Sequence, residues 1–116
     1  VMWSPDSKCF AFFSGADGSA AQTVVCQTDG RTFTRKKQPE VKLPGRDADE
    51  EVKGAKPLWT FVEPLRWEKP DVLVLLHHEY FEILRPDRTI NSTGRTYEIT
   101  RNLSTGEATA KVKRYD

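Results

Sequence analysis

Apolar and polar positions fall into distinct regimes along the chain. Residues 9–13 are apolar without interruption: Cys9, Ala11 and Phe13 fall on one side of an extended strand, Phe10 and Phe12 on the other. A strand at a sheet surface alternates apolar with polar side chains, so this run predicts a strand meant to be covered on both faces. Val72, Leu73, Val74, Leu75 and Leu76 have the same character. The C-terminal region reads differently. Ala108, Ala110 and Val112 alternate with Thr109, Lys111 and Lys113, which predicts a ribbon with one face in water. Residues 96–101 are its hairpin partner, and Gly106 in the connecting loop can take a positive φ.

The intervening segments complete an all-β prediction. Small and glycine-bearing residues make 14–21 a loop, residues 23–26 a second strand, Asp29-Gly30 a turn and 31–34 a third strand. Residues 58–62 and 65–67 read as strand on either side of Pro64. Residues 80–84 read as another strand, with His77-His78-Glu79 marking a strand end and Arg85-Pro86-Asp87-Arg88 a turn. The expected fold is one all-β domain over residues 1–116, made of two antiparallel sheets. Residues 1–35 form the first unit, 36–56 a charged linker and 57–116 the second unit. Asp47 followed by Glu50 fits the N-cap and third position of a short helix in that linker.

Composition narrows the function classes. Charged residues make up 30% of the 116-residue chain and hydrophobic ones 37%, with a formal net charge of +1. A chain so balanced has no global field for nucleic acid or an anionic membrane. No apolar run is longer than those at residues 9–13 and 72–76, which fall far short of the ~20 residues that cross a bilayer as a helix. The expectation is therefore no nucleic-acid partner and no membrane insertion. No P-loop, dinucleotide fingerprint, G-x-S-x-G or H-E-x-x-H occurs, so no catalytic residue, cofactor or metal site is assigned.

Two stretches repeat a common plan. Trp3-Ser-Pro-Asp-Ser-Lys leads into the apolar strand at Cys9, and Trp67-Glu-Lys-Pro-Asp leads into the one at Val72. Each unit also carries a later turn acid, Asp29 or Asp87. The W-S-P-D-x-K opening resembles the blade repeat of β-propellers, particularly TolB-like and WD40-like ones. The likeness is good over residues 3–30 and loose over 58–88. It implies blade-like sheets, partial propeller or sandwich-like, and it implies nothing about activity, because propellers host many functions. Rings need four to eight blades and 116 residues hold about two. A buried strand so near the N-terminus then needs a neighbour on its open edge, and the ribbon at residues 108–115 is the expected one, from this chain or a partner.

Candidate sites follow from the same strands. Cys9 and Cys26 lie on consecutive strands, and a hairpin pairing Phe12 with Thr23 sets them opposite each other within disulfide range. A slip of one residue instead leaves two free thiols on opposite faces. His77 and Glu79 share a strand face and are the only place for an acid/base or metal reading; His77 and His78 do not share one. The aromatic residues Trp59, Trp67 and Tyr80 are the candidate binding residues, since Trp and Tyr favour recognition surfaces. Asn91-Ser92-Thr93 and Asn102-Leu103-Ser104 are glycosylation sequons.

The expected function is a non-catalytic binding or assembly module, through a protein partner or self-association. A small β-rich metal-dependent or hydrolase-like enzyme using His77 and Glu79 is the alternative. The disulfide option, the start at Val1 and the TolB-like flavour together give an expectation of an exported or periplasmic location.

Overall fold

The computed structural model describes residues 1–14, 20–36, 41, 43, 52 and 55–115. Eight strands follow one another: β1 (Met2–Trp3), β2 (Cys9–Ser14), β3 (Ala20–Thr28), β4 (Phe33–Lys36), β5 (Trp59–Lys69), β6 (Val72–Leu84), β7 (Ile90–Asn102) and β8 (Ala108–Tyr115). They make two four-stranded antiparallel sheets, β1-β2-β3-β4 and β5-β6-β7-β8, which do not close into a barrel. A short parallel pairing of β3 with β5, Ala20 beside Thr60 and Ala21 beside Phe61, joins the two. The all-β, two-sheet expectation matches this architecture.

One core serves both sheets. Ala11 and Val25 of the first sheet cluster with Leu73, Leu75 and Ile99 of the second, with Val62, Trp67, Leu103, Ala108 and Ala110 packed around them. Antiparallel register explains the selection. Ala11 pairs with Val25, and Leu75 with Ile99, so each cross-strand pair presents apolar groups to the same side. Three side-chain bonds tie the sheets together: Thr23 Oγ1 donates to the Val62 carbonyl at 2.7 Å, Trp67 Nε1 to the Met2 carbonyl at 3.0 Å and Lys36 Nζ to the Leu103 carbonyl at 3.4 Å.

Aspartate-led turns shape the connections. Between β1 and β2, Asp6 Oδ1 accepts from the Ser4 hydroxyl at 2.7 Å and from the Lys8 amide at 3.1 Å, with Ser7 at φ 59°. Between β6 and β7, Asp87 Oδ1 accepts from the Thr89 amide and hydroxyl, with Arg88 at φ 68°. The Pro-Asp-X sequence thus builds the same kind of turn twice, each with a left-handed residue after the acid. Asp29 caps the β3–β4 turn, and its counterpart between β7 and β8 is Asn102, whose Oδ1 accepts from the Ser104 and Thr105 amides. Asp87 lies one connection earlier and is not the equivalent of Asp29.

The structure corrects several sequence expectations. β6 runs unbroken through His77, His78 and Glu79, because β5 and β7 pair with it on both edges across that stretch. The strand expected to continue past Pro64 does so as β5, and a register shift between Pro64 and Arg66 absorbs the missing amide donor. The open edge of β2 is covered by β1, Met2 beside Ala11 and Trp3 beside Phe10, whereas β8 pairs with β7. Phe12 pairs with Val24 rather than Thr23. This one-residue slip places Cys9 beside Gln27 and Cys26 beside Phe10, so the thiols fall on opposite faces and both are free. The linker is more than a solvated connection: Val52 is 1% exposed, and Val41 and Leu43 pack against the core. The helix start expected at Asp47 and Glu50 lies outside the described residues.

Candidate aromatic binding surface

The second sheet has one face turned to the core and one turned away, and β5 and β6 set four rings side by side on the latter. Residues i and i+2 share a strand face, so Trp59 and Phe61 project together from β5 and Tyr80 and His78 from β6. Register then pairs them across the strands, Trp59 with Tyr80 and Phe61 with His78. Trp59 and Tyr80 are offset-stacked at 5.3 Å with planes 11° apart. Phe61 lies 5.1 Å from Trp59 and 4.3 Å from His78, again near parallel. Phe13, at the end of β2, meets Phe61 edge-on at 5.9 Å. All four rings are half-buried and Phe13 is exposed. A stacked group this large on a sheet surface presents rigid apolar area that loses little rotamer freedom on binding.

Polar groups frame the rings. His78 Nδ1 lies 3.1 Å from Thr96 Oγ1 on β7, which fixes the ring, and its Nε2 is 3.7 Å from Glu63 Oε1. At the other end the Tyr80 hydroxyl points to Glu82 Oε1 at 3.5 Å. Farther along the same face Glu98 is buried among cations: Lys111 Nζ at 2.9 Å, Lys113 Nζ at 3.8 Å and Arg66 Nη1 at 3.9 Å. The hydrogen bond from Lys111, aided by these charges, holds the Glu98 carboxyl below its ordinary range.

Of the three residues that sequence singled out, Trp59 and Tyr80 are brought together here and Trp67 is not. Trp67 pairs with Leu73, faces the core and spends its indole N–H on Met2. Sequence reasoning missed His78 and Phe13 as members of the group and counted Phe61 among the aromatic residues without singling it out. The signal was there in the spacing of Trp59 and Phe61, but reading it required the β5–β6 register.

The His77–Glu79 pair lies on the inward face. His77 Nε2 is 3.1 Å from Glu79 Oε1, and the Tyr97 ring meets the imidazole edge-on at 6.2 Å. Glu79 is buried, and a buried carboxylate requires partners of this kind. Among the described residues no group of three or more His, Cys, Asp or Glu side chains is arranged to hold a metal ion. The sequons have structural uses of their own. Thr93 is buried and accepts a bond from Arg95, and Asn102 caps the β7–β8 turn.

A second aromatic group lies on the outer face of the first sheet. Trp3 and Phe10 are 4.9 Å apart, Phe10 and Phe33 5.5 Å, and Phe10 and Phe12 6.1 Å. Trp3 and Phe33 are exposed, at 49% and 65%. The doubly apolar β2 therefore buries Cys9 and Ala11 on its core side, while Phe13 beyond them on that side is exposed and the other side carries this group of rings.

No protein-family model, curated protein or solved structure matches the chain.

Proposed function

We propose that the chain is a non-catalytic binding module of blade-like sheets, and that the ring group of Trp59, Phe61, His78 and Tyr80 is its recognition surface. The observation that carries this reading is the stacked packing of the four partly buried rings on the sheet face opposite Leu73 and Leu75. Large aromatic side chains left at a surface cost solvation free energy unless a partner covers them, and they supply much of the affinity when it does. The test is an array of random heptapeptides probed with the native protein and with Trp59→Ala. Loss of the bound set in the variant is expected; an identical set in both proteins would remove this surface from consideration.

A second reading, assembly, is favoured by the outer face of the first sheet. In a blade-like arrangement that face would pack on a further sheet, and here Trp3, Phe10, Phe12 and Phe33 are available to do so. Light scattering over a range of concentrations tests it. A concentration-dependent oligomer that Trp3→Ser with Phe33→Ser returns to monomer supports assembly through this face, and a monomer throughout speaks against it.

A further inference from the structure

The carboxylates on the outward face of the second sheet are not all alike. Glu98 has three cations within 4 Å, and exposed Glu68 is paired with Arg66 at 3.0 Å. The two that border the ring group have no such company. Glu82 is exposed and its one polar neighbour among the described residues is the Tyr80 hydroxyl. Glu63 is half-exposed and faces the His78 imidazole, with no lysine or arginine among the described residues in ion-pair range. Glu82 lies two positions beyond Tyr80 on β6. Glu63 lies four positions beyond Trp59 on β5, in the opposite direction along the sheet. Aromatic rings with an uncompensated carboxylate at each end make a surface complementary to positive charge.

From this we propose that the ring group recognises a basic polypeptide segment, with one Lys or Arg side chain seated against Tyr80 and Glu82 and a second near His78 and Glu63. The inference rests on the binding-surface reading above and adds the chemistry of the partner. A cation over the Tyr80 ring gains from the ring's quadrupole and from the adjacent carboxylate together. The same carboxylates repel phosphate, which disfavours a nucleic acid even though bases stack on rings of this kind. Mutual stacking of the four rings covers part of each face, so the surface offers grooves and edges for side chains rather than one broad platform. The two carboxylates are separated by about 20 Å along the strand direction, the reach of roughly six extended residues. That spacing sets the partner's register: two basic residues six apart in an extended segment.

The probe is a heptapeptide with arginine at both ends and Gly/Ser between, set against the same peptide with citrulline in place of arginine. Citrulline keeps the shape and removes the charge. Binding is followed by tryptophan fluorescence and by calorimetry. The arginine peptide should bind more tightly than the citrulline one and lose affinity as salt rises. Glu82→Gln and Trp59→Ala should each weaken the arginine peptide about two- to fivefold, while Glu82→Gln leaves the citrulline peptide unchanged. Glu82 is exposed, so its variant tests the charge without disturbing the fold, and near-UV circular dichroism checks Trp59→Ala. Equal binding of both peptides, lost in Trp59→Ala, would overturn the basic partner and leave the binding surface standing. Binding that neither variant changes, or no binding of the arginine peptide, overturns the proposal. Tighter binding of a thymidine oligonucleotide, lost in Trp59→Ala, would overturn it in favour of single-stranded nucleic acid.

Discussion

The indole N–H of Trp67 donates to the main-chain carbonyl of Met2, 65 residues earlier in the chain, at 3.0 Å. β1 is two residues long and would not hold its place at the edge of β2 on two pairings alone. The bond ties it to the second sheet, while Trp67 itself packs on the shared core. Trp67→Phe keeps most of the apolar volume and removes the donor, so it should destabilise the fold by about 1–2 kcal/mol in urea denaturation. The loss should be smaller when residues 1–3 are already deleted, because the acceptor has gone with them. Equal losses in both backgrounds would mean that the bond contributes nothing.

Val52 stands out in the charged linker. Its side chain is 1% exposed, although charged and helix-breaking residues surround it in sequence. It is the most deeply buried of the described linker residues, alongside Val41 and Leu43, which pack against the core. Val52→Ala should cost about 1–2 kcal/mol through lost methyl burial and the cavity left behind, and Val52→Asp considerably more through an uncompensated buried charge. A valine on a solvated loop would show neither effect.

Those two residues illustrate what was legible in the sequence. Binary pattern identified β2, the first half of β6 and the β7–β8 ribbon, because each carries a period-two or doubly apolar signature. It missed the continuity of β6, since His77, His78 and Glu79 look like a strand end until their cross-strand partners are known. It missed Val52 because an isolated apolar residue in a charged stretch has no periodicity. Trp59 and Trp67 are eight residues apart on one strand and would share a face in a regular one, yet the register shift between Pro64 and Arg66 turns Trp67 to the core. Local pattern gives elements; which face a bulged strand shows to which neighbour is a non-local fact.

The cysteines make a direct test of register. Cys9 is buried and burial pushes its thiol above the ordinary range, so it is a poor nucleophile. Cys26 is half-buried on the opposite face. Both thiols should be titratable in the unfolded chain, with Cys26 reacting first in the native one. Reducing agent should leave the urea midpoint unchanged. An intact mass two hydrogens short, or a midpoint that falls on reduction, would restore the disulfide and with it the other register.

Acid should destabilise the protein through its turns and through Glu98. Hydrogen bonds lower the Asp6 carboxyl (chiefly from the Ser4 hydroxyl), that of Asp29 (from the Thr32 amide) and that of Asp87 (from the Thr89 hydroxyl); Lys111 does the same for Glu98. A carboxyl lowered in the folded state contributes stability that is complete above its unfolded value, about 4, and is lost as pH falls below that value through the folded one. Urea midpoints should therefore stay flat with respect to these four groups from pH 7 to about 5, and fall below that. Asp87→Asn should be less stable than wild type at pH 7 and lose less on acidification. An unchanged acid slope in the variant would show that the turn bonds do not persist in solution.

The left-handed turn residues offer a gain in stability. Ser7 and Arg88 hold φ of 59° and 68°, a region that crowds Cβ against the neighbouring carbonyl. Each follows the turn aspartate, and in each turn the left-handed residue's own amide donates back to the residue three before it, Ser7 to Ser4 at 2.9 Å and Arg88 to Arg85 at 2.9 Å. Glycine adopts this conformation without the Cβ penalty but has more freedom to lose on folding. With ~1–2 kcal/mol relieved against ~0.5–1 kcal/mol of added entropy cost, Ser7→Gly and Arg88→Gly should each stabilise by up to about 1 kcal/mol. Arg88 is the cleaner test, because the turn around Ser7 also holds both bonds of the Ser4 hydroxyl, donated to Asp6 and accepted from the Cys9 amide. Substitution of Arg88 by valine should destabilise by contrast, since a β-branched residue tolerates a positive φ least. If glycine and valine at position 88 had equal midpoints, the turn would not take this conformation in solution.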